Sequence, residues 1–150
     1  FLKGSDMRII FSIFLIASTI LVASQRSFKI KSKYQQRHFE LIDKWIFLSM
    51  ETIIEAEIKE KEIVYRDKDN IETLSFHRSG SLSYFSVERG EGKKGRGTWL
   101  IKDQYIRIIS KSDTIDATYR IEGDILILTT SEEESEEFYG YTSIVQYQKH

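Results

Sequence analysis

The chain has 150 residues, which is room for one domain. Its 22 Lys and Arg against 23 Asp and Glu leave a net charge of −1. That balance argues against a nucleic-acid binder or a polybasic membrane-surface protein, both of which need surplus cations. A hydrophobic content of 41% with 13% aromatics is too apolar for a disordered chain. With no cysteine there is no disulfide, zinc–thiolate site or thiol nucleophile.

Met7 and Arg8 precede an apolar run, Ile9 to Ser24, that ends in the small residues Val22, Ala23 and Ser24. A charged start, an apolar stretch and a small-residue end form a secretory signal, cleaved before Gln25, so residues 1–24 read as a leader. The expected location is the periplasm or outside the cell, with an uncleaved membrane anchor as the alternative. Residues 25–38 carry Arg26, Lys29, Lys31, Lys33 and Arg37 and read as a solvated basic spacer rather than a docking tail. The domain proper spans residues 39–150.

From Phe39 onward, short apolar runs alternate with polar or glycine-containing turns. Thr52 to Glu62 is rich in helix formers but reads equally as a strand with a turn near Lys59 to Lys61. Ile71 to His77 and Ser81 to Val87 flank Ser79-Gly80 as a hairpin. A glycine-rich stretch, Gly90 to Gly97, leads into a strand at Thr98 to Ile101. Asp103 marks a turn before Tyr105 to Ile109, and Lys111 to Asp113 another before Ile115 to Ile121. Gly123-Asp124 separates that strand from Ile125 to Thr130, and the acidic run Glu132 to Glu137 precedes an aromatic strand, Phe138 to Tyr147. The expectation is an all-β fold: an antiparallel up-and-down meander barrel of about eight strands, in which sequence neighbours pair and closure removes exposed edges.

Certain residues carry a resemblance. Leu41-Ile42-Asp43-Lys44-Trp45 resembles the opening strand of lipocalin-like (calycin-type) domains, with Asp43 where a glycine is usual. Thr73 to Gly80 followed by Leu82 to Tyr84 is similar to their first clear hairpin. Gly97-Thr98-Trp99 resembles the start of a middle strand, and Tyr119 to Leu128 a hairpin of small exported bacterial members. The resemblance implies a calycin-type barrel and, often, a cavity for an apolar ligand.

Other motifs reduce to plainer readings. Gly90-Glu-Gly-Lys-Lys-Gly95 matches Gly-x-Gly-x-x-Gly, but a strand follows where a dinucleotide site needs a helix, so it reads as a mobile hairpin. Glu132 to Glu137 and Asp67 to Asn70 read as solvated charged turns rather than calcium loops. There is no Gly-x-Ser-x-Gly elbow and no His-Glu-x-x-His pair, and the spacing of His38, His77 and His150 points to no partner. No catalytic residue, metal site or cofactor is expected.

The aromatics are the most informative set. Phe76, Tyr84, Trp99, Tyr105 and Tyr119 are the candidate ligand-lining residues, with Phe138, Tyr139, Tyr141 and Tyr147 on the last strand. A barrel of this size can be filled by its own side chains or hold one small ligand. Trp45 and Trp99 read as structural. The expected function is non-catalytic binding of a small apolar or amphiphilic molecule. The alternative is a protein-interaction module, an envelope assembly factor or an inhibitor, acting through the glycine-rich and acidic loops.

Overall fold

The computed structural model describes residues 39–150 apart from 89, 112 and 136–138. The expected leader (residues 1–24) and basic spacer (25–38, which includes His38), and Phe138, lie outside the described residues. Among the described residues nine antiparallel strands form one sheet: β1 (Lys44–Glu55), β2 (Glu60–Tyr65), β3 (Asn70–Phe76), β4 (Ser81–Glu88), β5 (Glu91–Lys102), β6 (Tyr105–Ser110), β7 (Thr114–Glu122), β8 (Ile125–Glu132) and β9 (Gly140–Lys149). β3 to β9 pair in sequence order, and β9 returns to β1 from Trp45↔Lys149 to Glu55↔Gly140, which closes an eight-strand barrel. The all-β, up-and-down reading of the sequence therefore holds, and Thr52 to Glu62 is strand, turn, strand rather than helix.

One connection departs from a simple meander. β9 occupies one edge of β1, so β2 and β3 share the other. β2 pairs with Ser49 to Ile54, and β3 pairs with Lys44 to Ile46 below it. Sequence neighbours β2 and β3 do not pair with each other. The chain steps between them through a turn in which Asp67 Oδ1 accepts hydrogen bonds from the Asp69 amide at 2.8 Å and from the Asn70 amide at 2.8 Å. An aspartate fits here because its short carboxylate caps backbone amides two and three residues on. Those bonds, with that of the Asp69 amide foremost, hold the Asp67 carboxyl below the usual range.

The tight turns have their residues for conformational reasons. Gly80 and Gly123 take positive φ angles of 86° and 60°, which a side chain would resist. Asp103 adopts φ 56°, a conformation aspartate tolerates better than most residues. The stretch from Gly90 to Gly97 is not a loop. Gly90 turns the chain with φ 81°, and β5 already begins at Glu91. Glycine lowers β propensity, but the ladder with β4, from Ser81↔Thr98 to Glu88↔Glu91, overrides it.

Alternation along the strands divides core from surface. Trp45, Phe47, Leu74, Phe76, Leu82, Trp99, Ile101, Ile106, Ile108, Leu126, Leu128, Val145 and Tyr147 face inward and fill one end of the barrel. A register shift between Phe47 and Ser49 keeps β1 in phase, so that Met50 and Thr52 are also buried. A 3₁₀ turn at Phe39–Leu41 carries buried Leu41 into the same cluster, and the Trp45 indole N–H donates to its carbonyl at 2.9 Å. Lys149 Nζ lies 5.8 Å from the Trp45 ring centroid and 3.1 Å from Asp43 Oδ2. Asp43, at the position where the resemblance leads one to look for glycine, thus ties the first strand to the last. The Lys44 amide, and then Lys149, hold its carboxyl below the usual range.

Further up, the interior turns polar. Thr52 and Ser143 face each other across β1 and β9, with their hydroxyls 3.4 Å apart. Glu72, only 6% exposed, accepts a 2.5 Å hydrogen bond from the Tyr147 hydroxyl. Burial first, then the nearby Glu72 carboxylate, push the Tyr147 phenol well above its ordinary pKa. A group with a raised folded pKa contributes stability that is intact below its unfolded value and lost as pH rises above it. Unfolding free energy is therefore expected to fall above about pH 10, by about 1.4 kcal/mol per pH unit for each such phenol. Tyr147→Phe should flatten that decline and, by removing the phenol's hydrogen bond to buried Glu72, cost about 1–3 kcal/mol at pH 8. Urea unfolding of both proteins across the alkaline range checks this; parallel slopes would mean Tyr147 ionises as freely in the fold as out of it.

Candidate functional site

The sequence candidates do not converge on one cavity. Phe76 and Trp99 meet edge-on in the packed end, with centroids 5.5 Å apart and planes at 90°. Tyr119 is half-buried against that core, and burial, then the charge of Glu40, raise its phenol. Tyr105 points outward from β6 and is 55% exposed. Tyr84 is half-buried, has inward parity and packs against the same core, and of the five it alone also borders a groove of about 600 Å³.

That groove lies along β1, β3, β4 and β5 and is lined by Lys44, Thr73, Ser75, Ser83, Phe85, Lys94 and Arg96, with Tyr84 and Gly95. Strand register explains the set. Lys44 pairs with Ser75, Ser75 with Ser83, and Ser83 with Arg96. Two residues along each strand, Ile46 pairs with Thr73, Thr73 with Phe85, and Phe85 with Lys94. Directly paired residues share a face, and Leu74, Phe76 and Leu82 of the opposite parity are buried. Both rows therefore stand on the outside of the barrel. Adjacent strands lie about 4.8 Å apart, so the first row spans roughly 14 Å with a cation at each end and two hydroxyls between.

Local bonds orient the groove's polar groups. His77 Nε2 and Ser83 Oγ are 2.9 Å apart, so the histidine tautomer sets whether Ser83 donates or accepts on its remaining side. Phe85 is 43% exposed, and its ring edge lies over Gly92, the nearest atoms to a Cβ placed there. The Tyr84 ring covers Gly95, where a Cβ would overlap it. The two strand glycines thus make room for two aromatic rings, one on each side of the β4–β5 ribbon. Among the described residues, no carboxylate pairs with Lys44 Nζ, Lys94 Nζ or the Arg96 guanidinium. Asp43, the neighbour of Lys44 in the chain, is turned toward Lys149.

Among the described residues no cluster of His, Asp and Glu is arranged to hold a metal ion, and no helix is long and apolar enough to cross a membrane. Comparison with known proteins finds no matching family model, no matching curated protein and no matching solved structure.

The basic and hydroxyl residues of the groove were not singled out from the sequence. Their signal was present as period-two alternation: Thr73 and Ser75, Ser81 and Ser83, Lys94 and Arg96. Alternation alone says that these residues share the solvent face of their own strands. It does not say which strand lies next to which, or at what height.

Proposed function

We propose that this chain is an exported, lipocalin-like, non-catalytic binding protein for a small amphiphilic molecule, and that the molecule lies in the external groove over Phe85. The closed up-and-down barrel supports the lipocalin-like assignment, and the leader pattern in residues 7–24 supports export. The observation that carries the binding reading is the groove itself. Its volume of about 600 Å³ suits a drug-sized ligand, and an exposed phenyl ring sits among hydroxyls and cations. The packed end of the barrel, filled by Trp45, Phe76, Trp99 and Tyr147, is occupied by its own side chains.

Native mass spectrometry of the protein against a panel of single-chain amphiphiles tests this reading. A 1:1 adduct is expected, weakened about tenfold by Phe85→Ala, in keeping with the burial of one aromatic face. A clean apo mass against the whole panel would sink it.

A second reading, a protein-interaction module, draws on β2. Among the described residues nothing pairs with its far edge, and Ile58, Ile63 and Tyr65 are exposed on or beside it. An open edge with apolar side chains is a template for strand addition by a partner, such as an envelope protein. Pull-down with the wild type and with an Ile63→Lys variant separates the two readings, because the groove lies on other residues.

A further inference from the structure

We infer that the groove selects a ligand with a compact anionic head group, a carboxylate or phosphate monoester, held across the Lys44–Ser75–Ser83–Arg96 row with its apolar part over Phe85. This rests on the groove being a ligand site, as proposed above, and adds the chemical class.

The charge pattern is the first support. Residues of outward register on β3, β4 and β5 include Lys94, Arg96 and Lys102 and no carboxylate among those described. Lys44 completes the basic border from β1. The whole chain carries a net charge of −1, so this positive face is a local feature against a slightly acidic background.

Donor geometry is the second support. Arginine offers a planar fork that matches two oxygens of a carboxylate or phosphate, and lysine a compact charge that can approach from the other side. Lys44 and Arg96 stand at opposite ends of one row, so their flexible side chains can close on an oxyanion from two directions. Ser75 and Ser83 lie between them with hydroxyls at head-group height. When His77 Nε2 carries its proton and donates to Ser83 Oγ, the Ser83 hydroxyl hydrogen is released toward the groove. Phe85 lies one row away, about 7 Å along the strand, and an apolar chain or ring leaving the head group would cross it.

The test uses four ten-carbon probes on the purified protein: decanoate, decyl phosphate, decanol and decyltrimethylammonium, each titrated calorimetrically at low and high salt. Decanoate and decyl phosphate are expected to bind 1:1 and at least about tenfold tighter than decanol, with the ammonium probe weakest. The ratio of the two anions identifies the head group. Arg96→Gln and Lys44→Gln should each weaken both anions by about five- to tenfold and leave decanol unchanged, while Lys68→Gln, on a different turn, should change nothing. High salt should narrow the gap between anion and alcohol. All three residues are on the surface, and thermal melts confirm that the variants fold. Decanol binding as tightly as decanoate, with both Gln variants silent, would overturn the anion inference and leave the groove reading intact. Failure of all four probes would overturn both. Binding of an oligouronate or oligonucleotide in place of the single-headed anions would overturn it in favour of a polyanion surface.

Discussion

Trp99→Ala is expected to destabilise the barrel by about 3–5 kcal/mol, the range seen when a large aromatic is cut from a packed core. The indole is 3% exposed and stands edge-on to Phe76. Its Nε1 donates to the Ser81 carbonyl at 3.1 Å, and its backbone amide donates to the Gly80 carbonyl at 3.0 Å. The residue therefore sits in the packed end and fastens the β3–β4 hairpin to β5. Alanine keeps the backbone bond, loses the ring contacts and the side-chain bond, and leaves a cavity that the surrounding strands, held in their ladders, cannot collapse into. A fall of more than about 10 °C in the thermal midpoint should follow. Trp99→Phe, which keeps a ring, should recover much of the loss. An unchanged midpoint for the alanine variant would show that Trp99 does not belong to the core.

Two glycines of β5 should respond very unequally to the same small change. At Gly97 an added Cβ would fall inside contact distance of the Ile109 carbonyl oxygen and carbonyl carbon. Both atoms are backbone, fixed by the β5–β6 ladder in which Gly97 pairs with Ser110. Relief requires the strands to part, so Gly97→Ala should cost about 3 kcal/mol, at the upper end of ordinary overpacking. At Gly95 the obstacle is the outer end of the Tyr84 side chain, which can swing away. Gly95→Ala should cost less than about 1 kcal/mol. Amphiphile affinity should change little, because the Tyr84 ring lies on the inner side of the ribbon, away from Ser83 and Phe85. Denaturant midpoints give the first comparison and amphiphile titration the second. A silent Gly97→Ala would mean that β5 and β6 do not approach each other so closely.

These glycines also show where a glycine-rich stretch misleads. Gly90 to Gly97 carries the composition of a flexible loop, yet most of it is strand. Gly92 and Gly95 are covered by the rings of Phe85 and Tyr84, and Gly97 admits a close backbone approach. What composition suggests is freedom. What the fold uses is the missing Cβ, a property that matters only once the neighbouring strands are in place.

The buried aromatics were legible in a different sense. Phe76 and Trp99 stand at the inward positions of clearly alternating strands, and they are buried together. Tyr105 opens its strand with the same aromatic character but the opposite parity, and it faces solvent. Glu72 also has inward parity, and a carboxylate in a barrel interior is not foreseeable from a strand pattern. Its partner, Tyr147, lies 75 residues away in the chain.

By itself the sequence determined the all-β class, the up-and-down barrel, the turn positions at Gly80, Asp103 and Gly123, and the structural part of Trp45 and Trp99, because these depend on local backbone preference, short connections and a period of two. Only the tertiary structure decided that β2 and β3 share one edge of β1, and that Lys44, Ser75, Ser83 and Arg96 stand in one row. Register is a relation between strands, and sliding one strand by two residues would preserve every alternation in the sequence while dispersing that row.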